Sequence, residues 1–282
     1  MIKYYQSFDS KNGIKYSLDM VRLSIDFNTH TQNFCDYMTE LASVDLRYEV
    51  AYFQSFKKYS YKHLWNVKDS IDDTVSWTVG LDYGGTKDGM SQGFLEFNPN
   101  KCMDSPLFLD FLEVLRANSP IRDLVRYDMA IDIPLPLGQC KLHREGKRTY
   151  QYIQKDDGIT EYLGQRSHSG FVKLYDKTIE SDLDFPLTRL EITYDKKELF
   201  EKVFPTVHIV DMQSKFLVDD TLDSTDKALI SLLRDCPDRA YYLSQLGRRK
   251  RKKIEPYLAD RVLLLDKYCA HSVYALAMSF EK

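Results

Sequence analysis

Asp128 and Asp132 stand four residues apart in VRYDMAIDIP (125–134), with Arg126 just ahead of them. Side chains alternate along a strand, so Arg126, Asp128, Ala130 and Asp132 share one face and Tyr127, Met129, Ile131 and Ile133 the other. TRLEITY (188–194) repeats the design, with Arg189, Glu191 and Thr193 opposite Leu190 and Ile192. If the two strands are neighbours, Asp128 or Asp132 meets Glu191. A small cluster of carboxylate oxygens is what Mg²⁺ or Mn²⁺ requires. A third stretch, TEYLGQRSHSGFVKLYDK (160–177), puts Phe171, Lys173 and Tyr175 on one face. Arg166, Lys173 and Lys177 are cations suited to holding phosphates. Carboxylates on an outward strand face are ordinary on a solvated sheet, and a tyrosine at a strand end is ordinarily structural.

The elements that must position these residues are legible from periodicity. Strands are expected at Met20–Phe27, Val75–Tyr83, Gly93–Asn98, Val125–Pro134, Thr160–Leu163, Phe171–Tyr175 and Thr188–Tyr194. Helices are expected at Thr31–Leu41 and Ser105–Asn118, the latter opened by Ser-Pro and carrying Leu107, Phe111 and Leu115 on one face. Residues 1–18 are polar and read as a flexible arm, and Lys141–Gln154 is basic and less regular. From Thr225 onward the pattern is helical: Ala228–Leu233, Arg239–Leu246, and Ile254 to about Phe280. The expectation is an α+β fold, a mixed, largely antiparallel sheet with flanking helices and a helical C-terminal region.

Net charge is −3, which gives no sign of nucleic-acid binding, but the distribution does. Six consecutive cations, Arg248, Arg249, Lys250, Arg251, Lys252 and Lys253, lie between two helical patterns. That placement favours a basic helix–loop element lying on DNA. The 20 Tyr and 15 Phe suit sheets, and aromatics also stack on unpaired bases. Five Cys, an odd number without C-x-x-C spacing, argue against a disulfide framework or structural zinc and for a cytoplasmic location. The polar N-terminus does not read as a signal peptide, and no apolar run approaches the roughly 18 residues that span a membrane.

Several motifs together resemble the Rep_trans family, the rolling-circle replication initiators of small Gram-positive plasmids. Tyr162, Leu163, Gly164, Arg166 and Ser169, followed by Tyr175-Asp176-Lys177, match a signature in which the tyrosine is the DNA nucleophile. LEFNPNK (95–101), RYDMAID (126–132), TRLEI (188–192) and DKALISLLRD with its basic, Tyr-containing continuation (226–257) match further blocks in order. The resemblance covers about 95–260, and the first 90 residues match loosely. The larger group of rolling-circle nickases binds its metal through His-x-His, and no two of the six His are so spaced here.

What the resemblance implies is a site-specific DNA nickase and strand transferase. Tyr175 attacks a phosphorus, leaving a free 3′-hydroxyl primer and a 5′-phosphotyrosine, and strands are rejoined at termination. Lys173, Lys177 and Arg166 assist, and Asp128, Asp132 and Glu191 hold Mg²⁺ or Mn²⁺. It implies a catalytic nicking domain over 1–222 and a helical DNA-recognition region over 223–282. Its partners are origin DNA at a hairpin or single-stranded cut site, a second copy of the chain and a host helicase. A conjugative relaxase acting at a transfer origin uses the same chemistry, and a non-catalytic DNA-binding regulator could share the fold. Strands and one helix, rather than a helix-turn-helix domain, in residues 1–94 favour replication over transfer, and Tyr175, Asp128 and Glu191 together argue against the regulator.

Overall fold

A computed structural model describes residues 6–27, 31–54, 63–82, 91–118, 121–143, 149–155, 158–166, 168–195, 204–209, 217–234, 236, 238–258, 261–263 and 265–281. The first half contains β1 (Gln6–Asp9), β2 (Ile14–Phe27), α1 (Thr31–Val44), β3 (Tyr48–Gln54), β4 (His63–Asp69), β5 (Ser76–Asp82), β6 (Ser91–Phe97), α2 (Pro99–Cys102), α3 (Pro106–Asn118) and β7 (Ile121–Ile133). The second half contains β8 (Cys140–Leu142), β9 (Tyr150–Lys155), β10 (Gly158–Leu163), β11 (Val172–Asp176), α4 (Lys177–Glu180), β12 (Thr188–Asp195) and β13 (Val207–Ile209). It ends with α5 (Ser224–Arg234), α6 (Arg239–Gln245), α7 (Arg248–Ile254), β14 (Arg261–Leu263) and α8 (Lys267–Met278).

The main sheet runs β3-β4-β5-β6-β2-β7-β12-β11-β10-β9, with β1 paired to β2, and its pairings are antiparallel. Its two faces are separated by alternation. Tyr127, Met129, Ile131 and Ile133 of β7 and Leu190, Ile192 and Tyr194 of β12 are buried on the apolar face. Helices α1, α3 and α8 contribute Met38, Phe108, Phe111 and Val273 to the same core. Trp77 packs its ring 5.2 Å from Phe108 and 5.1 Å from Phe111. The opposite face carries the charged residues of β7, β11 and β12. The α+β class and the largely antiparallel sheet are as the sequence predicts.

Two expectations fail for identifiable reasons. Residues 6–18 are not an arm but a hairpin, and Ile14, Tyr16 and Leu18 are buried at 0–1% exposure. A register shift between Leu18 and Met20 then moves the buried positions to Val21, Leu23 and Ile25. Such a bulge reverses the phase of alternation, so a reading window across it sees no period. The predicted helix from Ile254 to Phe280 is also interrupted. Pro256 lies in a 3-10 turn, and β14 joins β13 and β8 in a small second sheet before α8 begins. Proline removes a backbone donor and clashes with the preceding turn.

The C-terminal organisation differs accordingly. Leu222, Ile230, Leu233, Leu243, Ile254 and Leu258 form a small core of their own around α5, α6 and α7. Cys269, Ala270, Val273 and Ala277 of α8 instead belong to the main core. The chain leaves the body for a three-helix unit and then returns to it.

Candidate nicking site and basic helical unit

Antiparallel register brings the sequence motifs into cross-strand rows on the polar face. Tyr175 pairs with Arg189, which pairs with Asp132. One step along, Lys173 pairs with Glu191, which pairs with Ala130. Another step gives Thr193 opposite Asp128. Asp128 and Asp132 are therefore the two diagonal neighbours of Glu191, on the same face.

The tyrosine is held by its neighbours. Its hydroxyl donates to Oε1 of Glu191 at 2.5 Å. The Lys173 ammonium lies 3.5 Å from Oε2 of the same carboxylate and 3.7 Å from the centre of the Tyr175 ring. The second arrangement is a cation over a π-face, favourable by roughly 0.5–2 kcal/mol in general. Lys177 lies 6.0 Å from that ring and pairs with Glu180 at 2.5 Å. Burial pushes the Tyr175 phenol above its ordinary value, and the Glu191 charge pushes it further the same way. Nearby cations would by themselves ease ionisation. The carboxylate at hydrogen-bond distance outweighs them, so the resting residue is a phenol with a proton acceptor attached.

Arg166 is not among the cations beside Tyr175. It lies exposed in the turn after β10, while Tyr175 pairs with Thr160 near the opposite end of that hairpin. Leu163, at the turn end, is three residues from Thr160, about 10 Å along the strand.

The expected trio of metal ligands also divides. Arg189 grips Asp132 through two bonds of 2.6 and 2.9 Å, the bidentate geometry that uses both carboxylate oxygens. Arg189 also reaches Asp19 at 3.6 Å. Asp128 lies 3.6 Å from Arg126, and its Oδ1 is buried without a hydrogen-bond partner. Burial pushes the Asp128 carboxyl up to about 6; Arg126 opposes this, and Glu191 and Asp19 add to it. Among the described residues no three His, Cys, Asp or Glu side chains converge on a common point. The donors left for a hard cation are a pair, Asp128, whose Oδ1 meets Arg126 at 3.6 Å without a hydrogen bond, and Glu191. Asp132 is taken by a guanidinium.

Sequence reasoning missed two residues. Asp19 sits at the bulge of β2 and accepts from Asn98 at 3.1 Å. Its presence on this face follows from the phase shift, which no simple alternation reveals. Glu180 follows Tyr175 by five residues on α4. Burial alone would raise its carboxyl, but Lys177, and then the Tyr175 hydroxyl, hold it below the usual range.

The basic run lies on α7, and its six cations have different partners. Asp226 is fully buried at the start of α5 and pairs with Lys250 and with Lys253, the latter at 2.5 Å. Asp226 and Asp223 also cap one another: the Asp226 N–H donates to the Asp223 carboxylate at 2.7 Å and the Asp223 N–H to the Asp226 carboxylate at 3.2 Å. Lys250 and Lys253 hold the Asp226 carboxylate well below its ordinary range. The two lysines tie α7 to α5 through Asp226 while their side chains stay 34% and 39% exposed. Arg251 pairs with Glu255 at 3.2 Å. Arg248, Arg249 and Lys252 are exposed and have no ion-pair partner among the described residues. Tyr241 and Tyr242 of α6, at 62% and 50% exposure, accompany them.

No family model matches the chain, and no curated protein matches it. Among solved structures, the rolling circle replication initiator protein from Geobacillus stearothermophilus is similar at 14% identity and a TM-score of 0.37, covering 87% of this chain and 97% of that one. At that level of likeness, a functional reading rests on the residues themselves. No helix among the described residues is long and apolar enough to cross a membrane.

Proposed function

We propose that the protein nicks one DNA strand by attack of the Tyr175 oxygen on phosphorus, as an initiator of rolling-circle replication at an origin. The observation that carries this reading is the 2.5 Å bond from the Tyr175 hydroxyl to Glu191, with Lys173 beside both groups. A phenol is a poor nucleophile at neutral pH, and a positioned base relieves that. As the Tyr175 O–P bond forms, its proton passes to Glu191 and the P–O3′ bond breaks. The 3′-oxygen leaves as a hydroxyl after protonation by water. Lys173 offsets the charge that accumulates on the phosphate oxygens. The phosphotyrosine retains the phosphodiester's energy, so a strand with a free 3′-hydroxyl can later be rejoined by the reverse step.

A divalent ion, Mg²⁺ or Mn²⁺, would be held by Asp128 and Glu191 and would neutralise phosphate charge when bound. Duplex recognition belongs to the exposed face of α7, through Arg248, Arg249 and Lys252. The reading includes a homodimer and a host helicase as partners. The test is to incubate the protein with Mg²⁺ and supercoiled DNA containing the sequence that flanks its own gene, then digest and map any nucleotide-modified peptide. A nick with a 5′-linked adduct on Tyr175 is expected. No adduct on any flanking DNA, or an adduct on Tyr150, Tyr162 or Tyr194, would overturn the assignment.

A further inference from the structure

A cavity of about 250 Å³ opens beside Tyr175, on the side of β9 and β10. Ile153, Tyr162, Lys173, Tyr175 and Ile179 line it, with Lys155. Register explains how it is built. Ile153 pairs with Thr160, which pairs with Tyr175, so the three form one row that continues to Arg189. Tyr162 pairs with Lys173 in the next row. Two features set this corner apart from the rest of the polar face. Ile153 and Ile179 are 39% and 57% exposed, although aliphatic side chains gain from being covered. Tyr162 is held by stacking on Phe171, with ring centres 5.7 Å apart and planes 20° from parallel. The cavity thus combines aliphatic and aromatic walls with two lysines and the carboxylates of Asp176 and Glu180, and Tyr175 itself is part of its lining.

We infer that this cavity binds the unpaired base of a nucleotide adjoining the scissile phosphate. The inference rests on the nicking reading above and assigns a subsite to it. Apolar and aromatic walls cover the face of any base, and the volume lies below that of ordinary small-molecule sites, which suits one base rather than several. Lys173 belongs both to the cavity and to the Tyr175–Glu191 group, so a base seated here places its own phosphate within reach of the attacking oxygen. The base must be unpaired, because a paired base cannot turn into a pocket on a sheet face. The site therefore discriminates single-stranded from duplex substrate at one nucleotide.

The experiment uses the full chain and short single-stranded oligonucleotides containing the cut site, with an abasic residue placed at each position in turn. One position next to the cut should raise KM roughly ten-fold with little change in kcat, as expected for loss of one stacked base. The Ile153→Ala/Ile179→Ala variant should raise KM for the intact oligonucleotide by a similar factor and respond little to that abasic residue. Equal KM for all abasic substrates, or fully additive effects of variant and abasic residue, would overturn the pocket. A parallel measurement does not depend on cutting. In Tyr175→Phe, 2-aminopurine at the adjoining position should be quenched on binding, and the double isoleucine variant should relieve the quenching. Quenching that ignores the isoleucines removes the pocket, whereas failure of the wild type to cut any substrate removes the nicking reading instead.

Discussion

The polar face of the sheet and the three-helix unit use the same kinds of residue in opposite ways. On the sheet, cations and anions alternate and satisfy one another: Arg22 with Glu96, Arg126 with Asp128, Arg189 with Asp132, Lys173 with Glu191. Each partner fixes the other's direction, and strands backed by the main core hold both. On α7 the charges are sorted. Lys250 and Lys253, themselves partly exposed, pair with a buried carboxylate, while Arg248, Arg249 and Lys252 have no ion-pair partner among the described residues. The first arrangement suits chemistry at one phosphorus, where a misplacement of an ångström matters. The second suits attraction to a line of phosphates, where the number of charges matters more than their direction. A net charge near zero conceals both.

If this division is right, the largest separable effect comes from the smallest change. Tyr175→Phe removes one oxygen and should reduce nicking and adduct formation to background, while duplex affinity stays within about two-fold. A loss of duplex binding in that variant would show that the two regions are not independent.

Asp132 tests the division within the sheet itself. With Asp132→Ala, the Arg189 guanidinium, 14% exposed, keeps only Asp19 at 3.6 Å. Breaking a buried pair from one side costs about 3 kcal/mol, which should appear as a lower midpoint in denaturant. The Mg²⁺ concentration giving half-maximal cutting should be the same for Asp132→Asn as for wild type, and several-fold higher for Asp128→Asn. A metal shift in Asp132→Asn would restore that residue to the ion and discard the pair.

Asp226 plays the matching part in the helical unit. Asp226→Ala leaves Lys250 and Lys253 without their buried partner, so α7 should detach from α5 and duplex binding should fall more than ten-fold. Cutting of a single-stranded oligonucleotide should persist. The folded-state pKa of Asp226 is lowered, so its contribution is present above the ordinary Asp value of about 3.9 and is lost as pH falls below it. Protection factors in α5–α7, corrected for the intrinsic pH dependence of amide exchange, should therefore fall at low pH in the wild type and depend less on pH in Asp226→Asn. An unchanged exchange profile in that variant would mean the lysines do not hold the helix.

Much of the sheet site was legible because alternation is short-ranged. The sides taken by Asp128, Asp132, Glu191, Lys173 and Tyr175 follow from period two alone, and antiparallel pairing then places them in adjacent rows. Partner choice was not legible. Asp128 and Asp132 are equivalent diagonal neighbours of Glu191 and differ in how they are paired: Arg189 holds Asp132 by two hydrogen bonds, while Arg126 stands 3.6 Å from Asp128. Asp19 was hidden by a bulge and Arg166 was misplaced because motif proximity says nothing about which end of a hairpin a residue occupies. On α7, a run of like charges has no internal signal for direction. The signal lies in Asp226, 24 residues before Lys250, where an acidic side chain falls on the apolar side of α5.

The smallest expected effect is also the sharpest test of that sorting. Replacing Arg248, Arg249 and Lys252 with Gln removes the three outward cations and leaves both ion pairs to Asp226 intact. Helix propensity is little changed by Gln, so the melting temperature should stay within a degree or two. Removing one cation–phosphate pairing lowers the slope of log K against log salt by about 0.9 on duplex DNA, so the full triple variant should show a slope smaller by up to roughly 2.7. At low salt the fall in affinity should be modest, and it should not depend on DNA sequence if these residues touch phosphates alone. Lys250→Gln with Lys253→Gln is the control with fewer charges removed. It should lower the melting temperature, because it strips the buried carboxylate of its partners. A triple variant that melts early with an unchanged slope would invert the assignment and make the outward cations the structural ones.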